Sequence, residues 1–168
     1  MPAATLGSQL PVTLAGGLVL RAAVRDDVGS IVALLAADQL GATRDGGDLA
    51  PYVAAFERIA ADPSELVVVA DDGSAAVATM QLSLLPGLAR RGALRLQIEA
   101  VRVAEHLRGG GVGEEMARWA IAEAERLGCA LVQLTSDRSR VDAHRFYERL
   151  GFEPSHVGYK LRLSGDQV

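Results

Sequence analysis

The stretch Ala93–Gly113, ALRLQIEAVRVAEHLRGGGVG, constrains the fold more than any other part of the chain. Leu94, Leu96, Ile98 and Ala100 take even positions, and Arg95, Gln97 and Glu99 stand between them. From Val101 the phase flips, so that Val101 and Val103 are apolar and Arg102 is polar. Side chains alternate across a strand with period two, so a one-residue slip would turn the apolar row outward. A β-bulge near Glu99–Val101 restores the core face, at the cost of an unpaired residue and a bend. A simple strand end gives the same pattern, and periodicity alone leaves both readings open. With the bulge, the ladder is interrupted beside Glu99.

The strand runs into Arg108-Gly109-Gly110-Gly111-Val112-Gly113 and then into a helical pattern, VGEEMARWAIAEAERLG. No Lys-Ser or Lys-Thr follows, so this is not a P-loop, and the third glycine of a dinucleotide fingerprint is missing. A flexible hinge remains one reading. The other is an anion cradle: a helix N-terminus presents unpaired N–H groups and the positive end of its dipole. Glycine permits positive φ and close approach of a ligand to the backbone. The direct strand-to-helix junction favours the cradle, with a pyrophosphate as its natural guest.

Elsewhere, Leu18–Val24 predicts a first strand, and RDDVGSIVALLAADQL a helix with Val28, Ile31, Val32 and Leu35 on one face. Gly41–Asp48 predicts a loop, and LAPYVAAFERIAA a second helix. Two strands follow, joined by a hairpin turn at Asp71-Asp72-Gly73. CALVQLTS predicts a buried strand, and SRVDAHRFYERLG a helix with Ser139 as N-cap, Asp142 as its capping-box partner and Gly151 past its end. HVGYKLRL predicts a closing strand. The order β-α-α-β-β-β-α-β-α-β implies a mixed α/β fold, a sheet with helices on its faces. Residues 1–16 are expected as a loose tail and 17–168 as one domain.

Composition narrows the partners. The formal net charge is −4 and there is no basic block, which argues against sequence-independent nucleic-acid binding. Cys129 is the only cysteine, so neither an internal disulfide nor a thiolate metal site can form. With no acidic partners at ligand spacing from the histidines, no metal is expected. The first sixteen residues carry no Lys or Arg, unlike a signal peptide, and no apolar run approaches a membrane span. A cytoplasmic protein without membrane contact is expected.

Taken together, these residues resemble a known family. Arg108–Gly113 matches the Arg/Gln-x-x-Gly-x-Gly/Ala signature of the GNAT superfamily of acyl-CoA-dependent N-acetyltransferases, and AHRFYERLGF (Ala143–Phe152) is similar to its closing helix motif. The resemblance covers roughly residues 18–163. It implies a mostly antiparallel sheet whose bulged fourth strand splays from the fifth, with acetyl-CoA in the gap between them. The pyrophosphate would lie on Arg108, Gly109, Gly110, Gly111, Val112 and Gly113. The pantetheine arm would pair with the backbone of Val101, Arg102 and Val103. Many relatives carry an asparagine seven residues before the motif tyrosine; here that position is Arg140. His144, one turn before Tyr147, would line the cofactor site.

The resemblance also implies roles for side chains. An alkylamine has a pKa near ~10.4, so acetyl transfer at neutral pH needs a base. Glu99 at the bulge is the candidate, against a solvated carboxylate paired with Arg95 or Arg102. Tyr147 takes the general-acid position, against a packing role. The Val101 N–H would donate to the developing oxyanion. The acceptor is a primary amine of a small molecule, with amino sugars and aminoalkylphosphonates nearest in resemblance. A protein amine, or a CoA-binding regulatory module without turnover, stands as an alternative, and a homodimer is an allowed assembly. Arg90, Arg91 and Arg95 read as a solvated face or as contacts for an anionic substrate. His106 and His156 are expected at the surface.

Overall fold

In the computed structural model, which describes residues 5–38 and 41–163, the period-two rows of the sequence become the two faces of one sheet. Its six strands lie in chain order: β1 (Val12–Thr13), β2 (Val19–Ala22), β3 (Glu65–Asp71), β4 (Ala76–Pro86), β5 (Leu94–Val103) and β6 (Leu131–Leu134). All neighbours pair antiparallel except β5 and β6, which run parallel. The helices are α1 (Val28–Ala36), α2 (Ala50–Ala60), a single turn α3 (Ala89–Gly92), α4 (Val112–Arg126) and α5 (Val141–Arg149). The expected mixed α/β architecture is present. Its bulged strand is β5 rather than the fourth, because β1 adds one strand before it.

The bulge is explicit in the register. Gln81 faces Glu99 and Thr79 faces Arg102, so Met80 alone stands opposite Ala100 and Val101. Ala100 takes φ 52°, the left-handed region that a non-glycine residue rarely enters. The extra residue does what the phase change requires. Leu96 and Ile98 before it and Val101 and Val103 after it all pack on the core that α4 covers with Val112, Met116 and Ala120. The opposite row, with Val67, Thr79, Gln81 and Ala100, faces α1 and α2.

Three expectations are corrected. The N-terminal segment is not loose from residue 5 onward; residues 1–4 lie outside the described residues. Leu6 and Leu14 are buried in the core, and β1 pairs with β2. The buried Glu123 carboxylate accepts from the Gly7 N–H at 2.6 Å and from Arg126 Nη2 at 2.6 Å, while Arg126 also donates to the Thr5 carbonyl at 2.7 Å. The closing strand is absent: residues 153–163 form no strand, and Val157, Tyr159, Leu161 and Leu163 are exposed. Alternation says which side chains share a face, not whether the segment pairs, and among the described residues the outer edge of β6 is left unpaired. Finally, α5 has Arg140 rather than Ser139 at its N-cap. The Ser139 hydroxyl instead donates to Asp137 at 2.7 Å, closing a local turn. Gly151 does stand past the end of α5, at φ 95°.

Candidate active site

Pairing between β5 and β6 ends at Ile98 and Leu134, so the chain from Glu99 to Val103 has no β6 partner. The parting opens a cleft of about 430 Å³, lined by Val101, Arg102, Val103 and Arg108 on one side and by Ser139 and Arg140 at the start of α5 on the other. Arg102 Nη1 donates to the Val101 carbonyl at 2.9 Å and Arg108 Nε to the Val103 carbonyl at 3.1 Å. Two β5 carbonyls at the cleft thus meet side chains where a neighbouring strand would otherwise bond.

Just past Arg108, which lines the cleft, Gly109 and Gly111 take φ 76° and 89°, which is the conformational freedom the glycine run supplies. Gly111 is the N-cap of α4, whose first closing bond runs from the Glu115 N–H to the Gly111 carbonyl at 3.0 Å. The N–H groups of Val112, Gly113 and Glu114 therefore have no carbonyl one helical turn behind them, and they sit at the positive end of a 15-residue helix. The two acidic side chains that follow are engaged elsewhere: Glu114 accepts from Arg118 at 2.8 Å, and Glu115 from the Ala15 N–H at 2.8 Å. Gly113 differs: a Cβ there would make ordinary van der Waals contact with Val103 Cγ2 at 3.5 Å and Phe146 Cζ at 3.8 Å, so the space between α4, β5 and α5 does not itself require glycine.

A charged cluster that sequence reading missed lies across the cleft. Asp38, just past α1, approaches Arg102 Nη2 at 3.3 Å and Arg140 Nη2 at 3.2 Å. The Arg102 side chain is only 10% exposed, and its Nε is buried without a hydrogen-bond partner among the described residues. Burial pulls its pKa down, the like charge of Arg140 adds to that, and Asp38 opposes both. Arg140, expected where relatives carry an asparagine, is thus an ion-pair partner that lines the cleft. No local pattern marks Asp38, because its partner Arg140 is 102 residues away.

Glu99 lies on the α1–α2 face beside the bulge and is exposed. It pairs with neither Arg95 nor Arg102 among the described residues. It ends a chain of side-chain bonds instead. Arg95 Nη1 donates to Gln133 Oε1 at 3.3 Å, Gln133 Nε2 to Gln97 Oε1 at 2.6 Å, and Gln97 Nε2 to Glu99 Oε1 at 3.3 Å. Tyr147 stacks edge-on with Phe146 at 5.1 Å and Phe152 at 5.8 Å. Burial pushes its phenol above the usual tyrosine pKa, against a smaller opposing pull from Arg140 and Arg102. It therefore carries its proton throughout the neutral range, in the field of two cleft arginines. His144 does not line the cleft; its Nε2 lies 2.8 Å from the Asp137 carbonyl. Among the described residues no three His, Cys, Asp or Glu side chains cluster to hold a metal ion. No described helix is long and apolar enough to cross a membrane.

Comparison with known proteins agrees with this fold. The model of the acetyltransferase (GNAT) family matches residues 30–152. A Bacillus halodurans C-125 protein described as a transcriptional regulator is 39% identical, with TM-score 0.84, over 87% of this chain and 99% of its own. A putative acetyltransferase from Agrobacterium tumefaciens str. C58 is 30% identical, with TM-score 0.77, over 86% of this chain and 99% of its own. The aminoalkylphosphonate N-acetyltransferase of Salmonella typhimurium is 36% identical over 67 residues, which is 40% of this chain and 44% of the relative. The chain thus matches less than half the length of that curated relative.

Proposed function

The chain belongs to the acetyltransferase (GNAT) family, and on that premise we propose that it moves the acetyl group of acetyl-CoA to the primary amine of a small molecule. The observation that carries the reading is the coincidence of two features on one open edge: Val101, the residue after the bulge, and Arg108, just before the glycine-led start of α4, both line the β5–β6 cleft. Acetyl-CoA supplies an activated thioester and needs an anion cradle, an exposed strand backbone and room for an extended arm. The residues present fit it. The N–H groups at the start of α4, with Arg108, suit the pyrophosphate. The backbone of Val101 to Val103 suits the pantetheine amides, and Arg140 stands in place of the asparagine contact.

The chain's own residues then divide the proton work. Glu99 accepts the ammonium proton, directly or through water, so that the neutral amine can attack. Its carboxylate is oriented by Gln97 and, behind it, by Gln133. The bulge sets Ala100 and Val101 against Met80 alone, and the Val101 N–H donates to the acetyl oxygen as negative charge grows there. Tyr147 stays protonated and hands its proton to the departing thiolate, whose acid has a pKa of about 8.5 if it behaves like Cys.

The test is thiol release from acetyl-CoA against an amine panel that includes aminoalkylphosphonates and amino sugars, with the product confirmed by mass. Amine-dependent release that falls in Glu99→Gln, with the deficit shrinking at high pH, supports the reading. Release independent of every amine sinks it. A second reading is a CoA-binding regulatory module without turnover, favoured by the relative described as a transcriptional regulator. Tight CoA binding with no acetylation across the panel would select it. A homodimer in the cytoplasm is part of the proposal, checked by light scattering and fractionation.

A further inference from the structure

The cavity between α1, α2 and the sheet plays no part in the chemistry above, yet it ends at the bulge. It measures about 170 Å³, with walls from Ile31 and Leu35 on α1 and Phe56 and Ile59 on α2, and Thr79, Gln81 and Ala100 at its sheet end. No charged side chain lines it. Its polar side chains at that end are engaged with their own neighbours: the Thr79 hydroxyl donates to the Val68 carbonyl at 3.1 Å, and Gln81 Nε2 to Glu65 Oε2 at 3.0 Å. A phosphonate, phosphate or second ammonium placed there would lose its water without finding an opposite charge, which is strongly unfavourable. An apolar group would lose nothing. Cavities of about 150 Å³ lined by aliphatic and aromatic side chains hold a benzene ring, so this one has the volume of a phenyl or a branched five-carbon group.

The position fixes the rest of the occupant. Ala100 follows Glu99 in the chain, and Gln81 faces Glu99 across the ladder. A ligand that fills the cavity with an apolar group and carries an amine at the sheet end brings that amine to the carboxylate. We propose that the acceptors of this chain are arylalkyl or branched-alkyl primary amines, with α1 and α2 enclosing the apolar group. The inference rests on the acetyl-transfer reading and departs from the substrate of the Salmonella relative.

The experiment measures kcat/KM with acetyl-CoA for phenethylamine, isoamylamine, ethylamine and 2-aminoethylphosphonate, using the full chain. The expected order places phenethylamine and isoamylamine at least about tenfold above 2-aminoethylphosphonate, the scale of one to two buried methylenes. Ala55, which also lines the cavity on α2, provides the decisive variant. Ala55→Phe fills the space, so phenethylamine should lose about tenfold or more while ethylamine stays within about threefold. If that variant does not fold, Ile59→Ala enlarges the same wall and should shift preference toward 4-phenylbutylamine. A wild-type preference for the phosphonate overturns the proposal and points to the Arg102–Arg140 cluster instead. Equal losses for ethylamine and phenethylamine in Ala55→Phe also overturn it. If no amine is acetylated, the activity reading has failed on its own, and calorimetry decides the cavity. Phenethylamine binding to the wild type that is lost in Ala55→Phe keeps the cavity assignment, and no binding to the wild type removes it.

Discussion

Helix α4 buries Val112, Met116, Ala117, Ala120, Glu123 and Ala124 against one face of the sheet, whereas α2 on the opposite face buries none of its residues. Met116 and Ala120 have no exposed surface; Phe56 and Ile59 border a cavity. The α4 face also anchors the N-terminal segment through Glu123 and sets the start of the glycine-led helix. The difference separates two tasks. Close packing covers one face of the sheet, while the looser face holds a cavity, the space the proposed acceptor would take, and carries the polar side chains of Glu99 and Arg102. Regions that bind ligands come from the less stable end of a fold for this reason.

The strongest challenge to that division is Tyr147→Phe. Removal of the hydroxyl should lower kcat by roughly 10²–10⁴-fold while Tm and acetyl-CoA affinity hold, because the ring contacts with Phe146 and Phe152 survive. A loss below about threefold would return Tyr147 to packing and move the acid elsewhere.

Paired truncations probe the packing itself. Met116→Ala should destabilise the fold by about 2–5 kcal/mol, and Phe56→Ala by only about 1–2 kcal/mol, since its site is already partly empty and exposed. Equal costs in denaturant titrations would erase the contrast between the faces.

Glu123 gives a smaller effect with a pH signature. Burial pushes its carboxyl up, but the Arg126 hydrogen bond and the Gly7 N–H outweigh that and hold it below the usual carboxylate range. A pKa depressed by folding means stability that is present above the unfolded value and lost as pH falls through the folded one. Glu123→Gln should therefore cost about 1–3 kcal/mol at neutral pH, and its deficit should shrink as pH drops below about 4.3. A deficit independent of pH would assign the loss to shape rather than charge.

The parts of the site that lie within one stretch of chain were legible in the sequence. The phase change between Ile98 and Val101 pointed to a bulge or a strand end, and the register between β4 and β5 resolves it as the bulge. The glycine run announced the start of α4, where Gly109 and Gly111 take positive φ just before the first helical residue, Val112. What escaped depended on distant partners. Asp38 gains its meaning from Arg102 and Arg140, and residues 5–16 are held by Glu123 and β2 rather than by a pattern of their own. In residues 156–163 the alternation is present without a paired edge, so the same signal that found β5 misled there. The cavity under α2 follows from how two helices sit on a sheet, which no single helix encodes.

The central claim is that the bulge and the glycine loop are two ends of one cofactor site, and backbone amide shifts on titration with CoA test it most directly. The account predicts that the amides of Val101 and Val103 and those of Gly109 to Gly113 move together with one Kd, while Met116 and Ala120 in the packed face stay still. Movement at only one end, or two different Kd values, would contradict it.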